Sequence, residues 1–455
     1  MKIVLISTYE LGHQPFGLAS PAAWLRRDGH QVRCIDTSQQ ALRDHEGTLS
    51  AADVVALYVP MHTATRIAMH AIRRVRDLNP GARLCAYGLY APMNADVLRE
   101  LGVEKIIGGE FEKGLVEWAK STTPRKPTDG LNGAPSFVSL ERLTFLTPDR
   151  SGLPALRKYA KLHLPHGEEL VTGYTEATRG CKHLCRHCPI VPVYNGAFRV
   201  VQKDVVLADI RQQVAAGAQH ITFGDPDFFN GPTHAVAILE ALHREFPAVS
   251  YDVTIKVEHL LKHADLLPIL KATNCTFVVT AVESFDNAVL ARLDKGHTND
   301  DFFRVVELFR RCGLGLTPTF VPFTPWTSLA TYESFLNTIA LLNLVENVSP
   351  IQLAIRLLIP AGSRLLELAE IQDIIAPFDR EKLCYPWHNP DPRVDELQRE
   401  LEAAIQQGSR IGLPRPHVFA QVSRLANEKS GAPMKDFDPF PSRATIPYLT
   451  EPWYC

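Results

Sequence analysis

The chain has 455 residues, of which 45% are hydrophobic and 22% charged, with a formal net charge of -2; this is the balance of a folded globular protein long enough for two or three domains. No basic stripe is present, so a nucleic-acid partner is not expected. No stretch approaches the ~18 uninterrupted apolar residues of a membrane span, and residues 1–7 are too short an apolar run for a signal peptide, so a cytoplasmic protein is expected.

Residues 1–120 alternate apolar strands with amphipathic helices, the pattern of a doubly wound parallel sheet. Strands are predicted at 2–7, 32–36, 53–59, 83–87 and 105–107. Helices end near Arg27, Leu78, Leu101 and Lys120, and a loop with Gly12, Pro15 and Gly17 follows the first strand. Residues 121–165 read as a linker, rich in Thr, Pro and Gly at their start. A second alternation fills 166–363, with strands at 170–175, 220–223, 250–257, 276–281, 315–320 and 351–358. Helices are predicted between them at 205–216, 233–246, 264–271, 301–311 and 331–342. Six βα units suit an open, partial barrel rather than a closed eight-stranded one. Residues 364–455 are mainly helical, with a break at Tyr385-Pro386-Trp387. The expected class is α/β: a flavodoxin/Rossmann-like N-terminal domain, a partial (β/α)6 barrel and a helical C-terminal region.

Nine cysteines are present, too sparse for a disulfide scaffold. Cys34, Cys85, Cys275, Cys312 and Cys384 are scattered and lie mostly in apolar surroundings, as core residues do. Three others fall together in Thr178-Arg179-Gly180-Cys181-Lys182-His183-Leu184-Cys185-Arg186-His187-Cys188-Pro189, directly after the first strand of the second alternation. Iron–sulfur cubanes normally take four thiolates; three closely spaced thiolates without a fourth would leave one iron open. The alternative is zinc, with His183 or His187 completing a four-ligand set.

The CxxxCxxC spacing, on that loop of that barrel, resembles the signature of the radical S-adenosylmethionine (SAM) superfamily. The resemblance covers about residues 170–363. It implies a 4Fe-4S cluster on Cys181, Cys185 and Cys188, with His187 at the family's aromatic position. It further implies SAM chelated by the open iron, a reductively cleaved carbon–sulfur bond and an electron donor such as flavodoxin or ferredoxin. In this family the cofactor carries the hard chemistry and the protein positions it. Gly224-Asp225-Pro226-Asp227 resembles the loop that binds the SAM amino group, although the usual Gly-Gly-Glu is absent; Asp227 alone also suits a helix-capping turn. Glu283 and Ser284, with Leu293-Asp294-Lys295-Gly296 beyond, resemble another of the family's stretches, and Glu258 is a candidate for the SAM ribose.

The first domain resembles the cobalamin (B12)-binding domain of one large radical SAM subgroup, through Gly17, Gly29-His30-Gln31-Val32 and Gly108-Gly109-Glu110-Phe111-Glu112. The Asp-x-His-x-x-Gly motif that supplies a cobalt ligand in many cobalamin proteins does not occur. Two readings stay open: cobalamin held without a histidine, or a domain that kept the fold alone. His13, His62 and His70 are expected as ordinary surface or loop residues. Thr450-Glu451-Pro452-Trp453-Tyr454-Cys455 is similar to the tail of radical SAM proteins carrying a CUAEP or CCAEP sequence, which implies that the chain continues past Cys455 through a selenocysteine codon. The resemblance implies cobalamin-dependent methyl transfer to an unreactive carbon, with an alternative of hydrogen abstraction or rearrangement without cobalamin; the substrate is not legible.

Overall fold

The computed structural model describes residues 1–121, 137–431 and 447–451. Its N-terminal sheet contains β1 (Lys2–Ser7), β2 (Gln31–Asp36), β3 (Val54–Tyr58), β4 (Arg83–Tyr87) and β5 (Lys105–Gly109). All five residues of β3 are buried, as a central parallel strand covered on both faces requires. One face packs under helices His62–Leu78 and Ala95–Glu100, the other under Phe16–Arg27 and Glu112–Lys120. The strand order is β2-β1-β3-β4-β5, the flavodoxin-like order, in which ligands bind beyond the carboxyl ends of the strands. A sixth strand, β6 (Phe137–Ser139), pairs parallel with β5. It lies inside the segment expected as a linker.

The second sheet begins with β7 (Lys161–His163), antiparallel to β8 (Glu169–Thr175). From β8 the strands run parallel through β11 (His220–Phe223), β12 (Ser250–Thr254), β13 (Cys275–Glu283) and β14 (Gly315–Phe320). Between β8 and β11 a small ribbon of β9 (Thr178–Gly180) and β10 (Phe198–Val200) carries the cysteine loop. At the opposite edge, β15 (Tyr448–Leu449) pairs antiparallel with β7. Helices Lys203–Ala215, Pro232–Glu245, Asn299–Cys312 and Leu329–Leu341 cover the outside of this half-barrel. Reciprocal capping boxes, Thr298 with Asp301 and Ser328 with Thr331, start the last two. The C-terminal helices Pro392–Arg410 and Arg415–Ser430 join the same core.

The sixth barrel strand expected at 351–358 is not formed. Pro350 opens a tight turn over Pro350–Leu353, and only a single bridge, Phe323 to Arg356, remains. The Gln352 side chain accepts the hydrogen bond from Phe320 N at 2.9 Å, where a neighbouring strand's carbonyl would have stood.

Candidate metal centre at the barrel mouth

The cysteine loop is held from several directions. Gly180 has φ 76°, and a Cβ there would lie 2.4 Å from the Tyr194 ring and 2.6 Å from the Ala197 carbonyl; only glycine fits. Asn230, fully buried, brackets Cys181: its amide donates to Gly180 O at 3.3 Å and accepts from Lys182 N at 3.1 Å. Further on, Arg186 N donates to Leu293 O at 2.9 Å and Ser363 Oγ donates to Arg186 O at 3.1 Å. The loop is rigid before any metal arrives.

Cys185 is buried and Cys181 and Cys188 are half-buried; all are free thiols. Burial first, and the neighbouring thiols after it, push the Cys181 thiol up to about 11 and the Cys188 thiol up to about 12, against the opposing charge of Lys256 and Lys295 respectively. Thiols this close to one another are poor free groups and good metal ligands, since a cation stabilises the thiolates that burial penalises. Cys34, Cys85 and Cys275, by contrast, are buried in strands of the two sheets. One thiol, Cys181, also stands within 4.8 Å of ligand atoms on His183 and Asp227, so His183 rather than His187 is the histidine a zinc site would use.

The residues expected to meet SAM separate into two groups. Asp227, Glu258, Glu283, Ser284 and His187 gather at the mouth. Asp227 Oδ2 lies 2.6 Å from His259 Nδ1 and 3.3 Å from His183 Nε2; burial alone would raise this carboxyl, but the two imidazoles bring it down to about 2. Asp227 also accepts from Phe229 N, the capping role foreseen for it. Glu258 stays partly exposed, 3.3 Å from Lys256 Nζ. Buried Glu283 accepts from Lys295 Nζ at 3.2 Å and lies 3.1 Å from His187 Nε2; against the effect of burial, these neighbours hold its carboxyl well below the usual range. Ser284 Oγ accepts from Asp286 N and shapes the turn.

Gly224 and Asp225 form the second group, packed against the chain itself. A Cβ on Gly224 would stand 1.8 Å from the Tyr174 hydroxyl, so this glycine makes room for the chain's own tyrosine. Asp225 is 1% exposed and accepts from Ala177 N at 2.9 Å and Thr178 Oγ1 at 2.5 Å. It fixes the base of β9.

The N-terminal candidates also pack against the chain itself. A Cβ on Gly17 would lie 2.1 Å from the Tyr58 ring, one on Gly108 2.3 Å from Pro92, and one on Gly109 2.2 Å from Ser139 O. These glycines admit the chain itself. Glu110 is buried and sits 3.2 Å from the Arg179 guanidinium and 3.1 Å from the Tyr194 hydroxyl. Two orphaned buried atoms do lie past the end of β1, Ser7 Oγ and Glu10 Oε2. His13, expected as a surface or loop residue, lies in the loop after β1 and is buried there, its ring 5.0 Å from Tyr174 and Nε2 2.8 Å from Glu451 Oε1. Asn230, Lys256, Arg179 and Glu112 were not singled out from the sequence. A signal existed for the last two: a charged residue two before the first cysteine, and paired carboxylates just after an apolar strand.

Residues 175–333 match the model of the Radical SAM superfamily. The three-thiol loop and the half-barrel strands from β11 to β14 lie within that span, so this part of the chain carries a radical SAM domain. Enzymes of this superfamily use a 4Fe-4S cluster and SAM. Among curated proteins the chain is similar to the hopanoid C-3 methylase of Methylococcus capsulatus, 22% identical over 69% of this chain and 62% of that protein. It is also similar to the ribosomal protein uS12 methylthiotransferase RimO of Syntrophotalea carbinolica, 28% identical over 30% of this chain and 32% of that protein. The chain thus spans less than two thirds of these relatives. In fold it is similar to the cobalamin-dependent radical SAM enzyme OxsB with aqua-cobalamin bound (TM-score 0.66, 14% identity, 89% of this chain and 67% of that one). A second similar structure is the radical SAM methyltransferase TsrM from Kitasatospora setae, with tryptophan and a SAM analogue (TM-score 0.61, 16% identity, 82% and 76%). The selenocysteine-tail expectation concerns residues outside those described, and no helix among the described residues is long and apolar enough to cross a membrane.

Proposed function

We propose that Cys181, Cys185 and Cys188 hold the cluster and that the enzyme transfers a methyl group from SAM to an unreactive carbon with the help of cobalamin. The observation that carries the reading is the convergence of three coupled thiols on a preformed loop at the mouth of the half-barrel. The donor set fits an iron–sulfur cluster better than zinc. Zinc at Cys181, His183 and Asp227 would leave Cys185 and Cys188 idle, and three thiolates with one open position match a cluster that binds a further ligand.

When bound, the reduced cluster supplies the electron that activates SAM, and that electron comes from a donor such as flavodoxin or ferredoxin. The chain's own part is placement. Asn230 orients the peptide groups on either side of Cys181. Lys256 and Lys295 bring positive charge beside the thiols, which favours thiolate over thiol. Asp227, beside His183 and His259, is the carboxylate for the SAM ammonium, and partly exposed Glu258 suits ribose hydroxyls. Glu283 and Ser284 shape that wall of the mouth.

Cobalamin, when bound, supplies a methyl carrier. The similar fold of the cobalamin-bound enzymes supports its place beyond the carboxyl ends of β1, β3, β4 and β5. The orphaned polar atoms Ser7 Oγ and Glu10 Oε2 lie there, and a cofactor carrying amide groups would satisfy them.

Anaerobic reconstitution with iron, sulfide and cobalamin, followed by metal and corrin counts and product analysis with SAM, tests the reading. Four irons per chain, stoichiometric cobalamin and S-adenosylhomocysteine are expected. Cluster without cobalamin, with 5′-deoxyadenosine as sole SAM product, would replace methyl transfer by hydrogen abstraction or rearrangement. Stoichiometric zinc in place of iron would overturn the cluster.

A further inference from the structure

Arg179 stands two residues ahead of Cys181 and is surrounded by three carboxylates. Its guanidinium donates to Glu112 at 2.7 and 3.0 Å, to Glu110 at 3.2 Å and to Glu176 at 2.7 Å. The rings of Phe16, Phe111 and Phe145 lie 4.9 to 5.6 Å from it. Glu110 and Glu112 follow β5 of the N-terminal sheet, and Ser20 of the first helix donates to Glu112 at 2.6 Å. Arg179, Glu110 and Glu112 are all more than nine-tenths buried. The first domain therefore grips the cysteine loop at its base.

Such a cluster is a poor source of stability. Taking each ion out of water costs several kcal/mol, and apolar residues of the same volume commonly do as well. What a planar fork between fixed carboxylates contributes is register. Register is what β9 lacks by itself: it has three residues, and its ladder partner β10 has three. A ribbon that short is not stable alone. Asp225 and Asn230 hold it from the barrel side, and the carboxylates of the first domain hold it from the other.

We propose that Glu110 and Glu112 are positioning residues for the cluster: acting through Arg179, the N-terminal domain sets where Cys181 sits and how tightly iron is held. The inference rests on the cluster reading above, and it gives the first domain a role that is independent of cobalamin. Partners that orient a metal ligand typically change metal affinity about 10- to 100-fold when removed.

The test uses the full-length enzyme reconstituted anaerobically with iron and sulfide, as wild type, Glu112→Gln, Glu110→Gln and Arg179→Lys, with Glu141→Gln as an exposed control. Iron release to a chelator is timed, and the electron paramagnetic resonance (EPR) spectrum of the reduced cluster is recorded without substrate. Glu112→Gln and Arg179→Lys are expected to release iron about 10- to 100-fold faster, with altered spectra, because a lysine lacks the fork. Glu110→Gln, which loses one contact to Arg179, should follow in the same direction. Should Glu112→Gln fail to fold, the milder Glu110→Gln decides. Wild-type release and an unchanged spectrum in a folded carboxylate variant would overturn the inference. A wild-type protein that takes up no iron would overturn the cluster reading instead, a result distinguishable from the former.

Discussion

Asp225 offers a sharp test of how the cysteine loop is built. Its carboxylate satisfies Ala177 N and Thr178 Oγ1 at the base of β9, with 1% of its surface exposed. Asp225→Ala would strand both donors in a site that water does not reach. At about 1–3 kcal/mol for each orphaned group, the loss is about 2–6 kcal/mol. Asp225→Asn keeps the shape: its oxygen accepts from Ala177 N, and its amide donates to the Thr178 hydroxyl, so the loss should stay below about 1.5 kcal/mol. The pH dependence separates the two causes. Burial pushes the Asp225 carboxyl up to about 7, with bonds from Thr178 and Ala177 opposing. The folded state then binds a proton that the unfolded chain releases near pH 4, so this contribution is fully present below that pH and is lost as pH rises through 7. Between pH 6 and 8 one such group lowers stability by about 1.4 kcal/mol. Urea unfolding of wild type and Asp225→Asn at pH 6 and 8 measures it, and the variant's curve should be flatter by that amount. Glu110, also raised to about 7 by burial, would leave a residual slope. An alanine variant as stable as wild type, or an asparagine variant with an unchanged slope, would refute the reasoning.

Glu283→Gln removes the counter-charge of buried Lys295, and denaturant titration should show a loss of about 3–5 kcal/mol. Gly17→Ala drives a methyl into the Tyr58 ring; a destabilisation of about 1–3 kcal/mol is expected, and the double variant with Tyr58→Ala should recover part of it relative to Tyr58→Ala alone. Cys185→Ala should abolish SAM turnover, measured by loss of SAM in the reconstituted protein; retained turnover would sink the ligand assignment.

The frame of the molecule was legible because it follows from periodicity. Buried parallel strands are largely continuous apolar runs, and β1 and β4 fall where such runs predict them; β14, Gly-Leu-Thr-Pro-Thr-Phe, instead alternates half-buried and buried residues and was legible from that period of two. Residues 351–358 carry the same composition yet make a turn, because Pro350 and the Gln352 side chain occupy the strand's place. β6 was hidden because three residues carry no period. At the site, the grouping of the three thiols could be read from spacing, which left cluster and zinc both open. The partners of Asp225 could not, since Ala177 and Thr178 are 48 and 47 residues away and only the fold brings them together. Glycines pose a related problem: the need for close approach is visible in sequence, but the group that approaches, such as the Tyr58 ring at Gly17, is not.

The seven-stranded sheet joins segments far apart in sequence: β15, the last strand among the described residues, pairs with β7, which precedes the whole parallel series. During synthesis the outer edge of β7 stays open until residue 448 has left the ribosome. An open edge is a template for pairing with other chains, and slow assembly prolongs that exposure. Here the edge is only three residues long, too short to recruit much. Its closure also brings Glu451 against His13 at the end of β1. One pairing event thus has two effects: it covers the free edge of β7 and it ties residue 451 to the loop that follows β1 in the N-terminal domain.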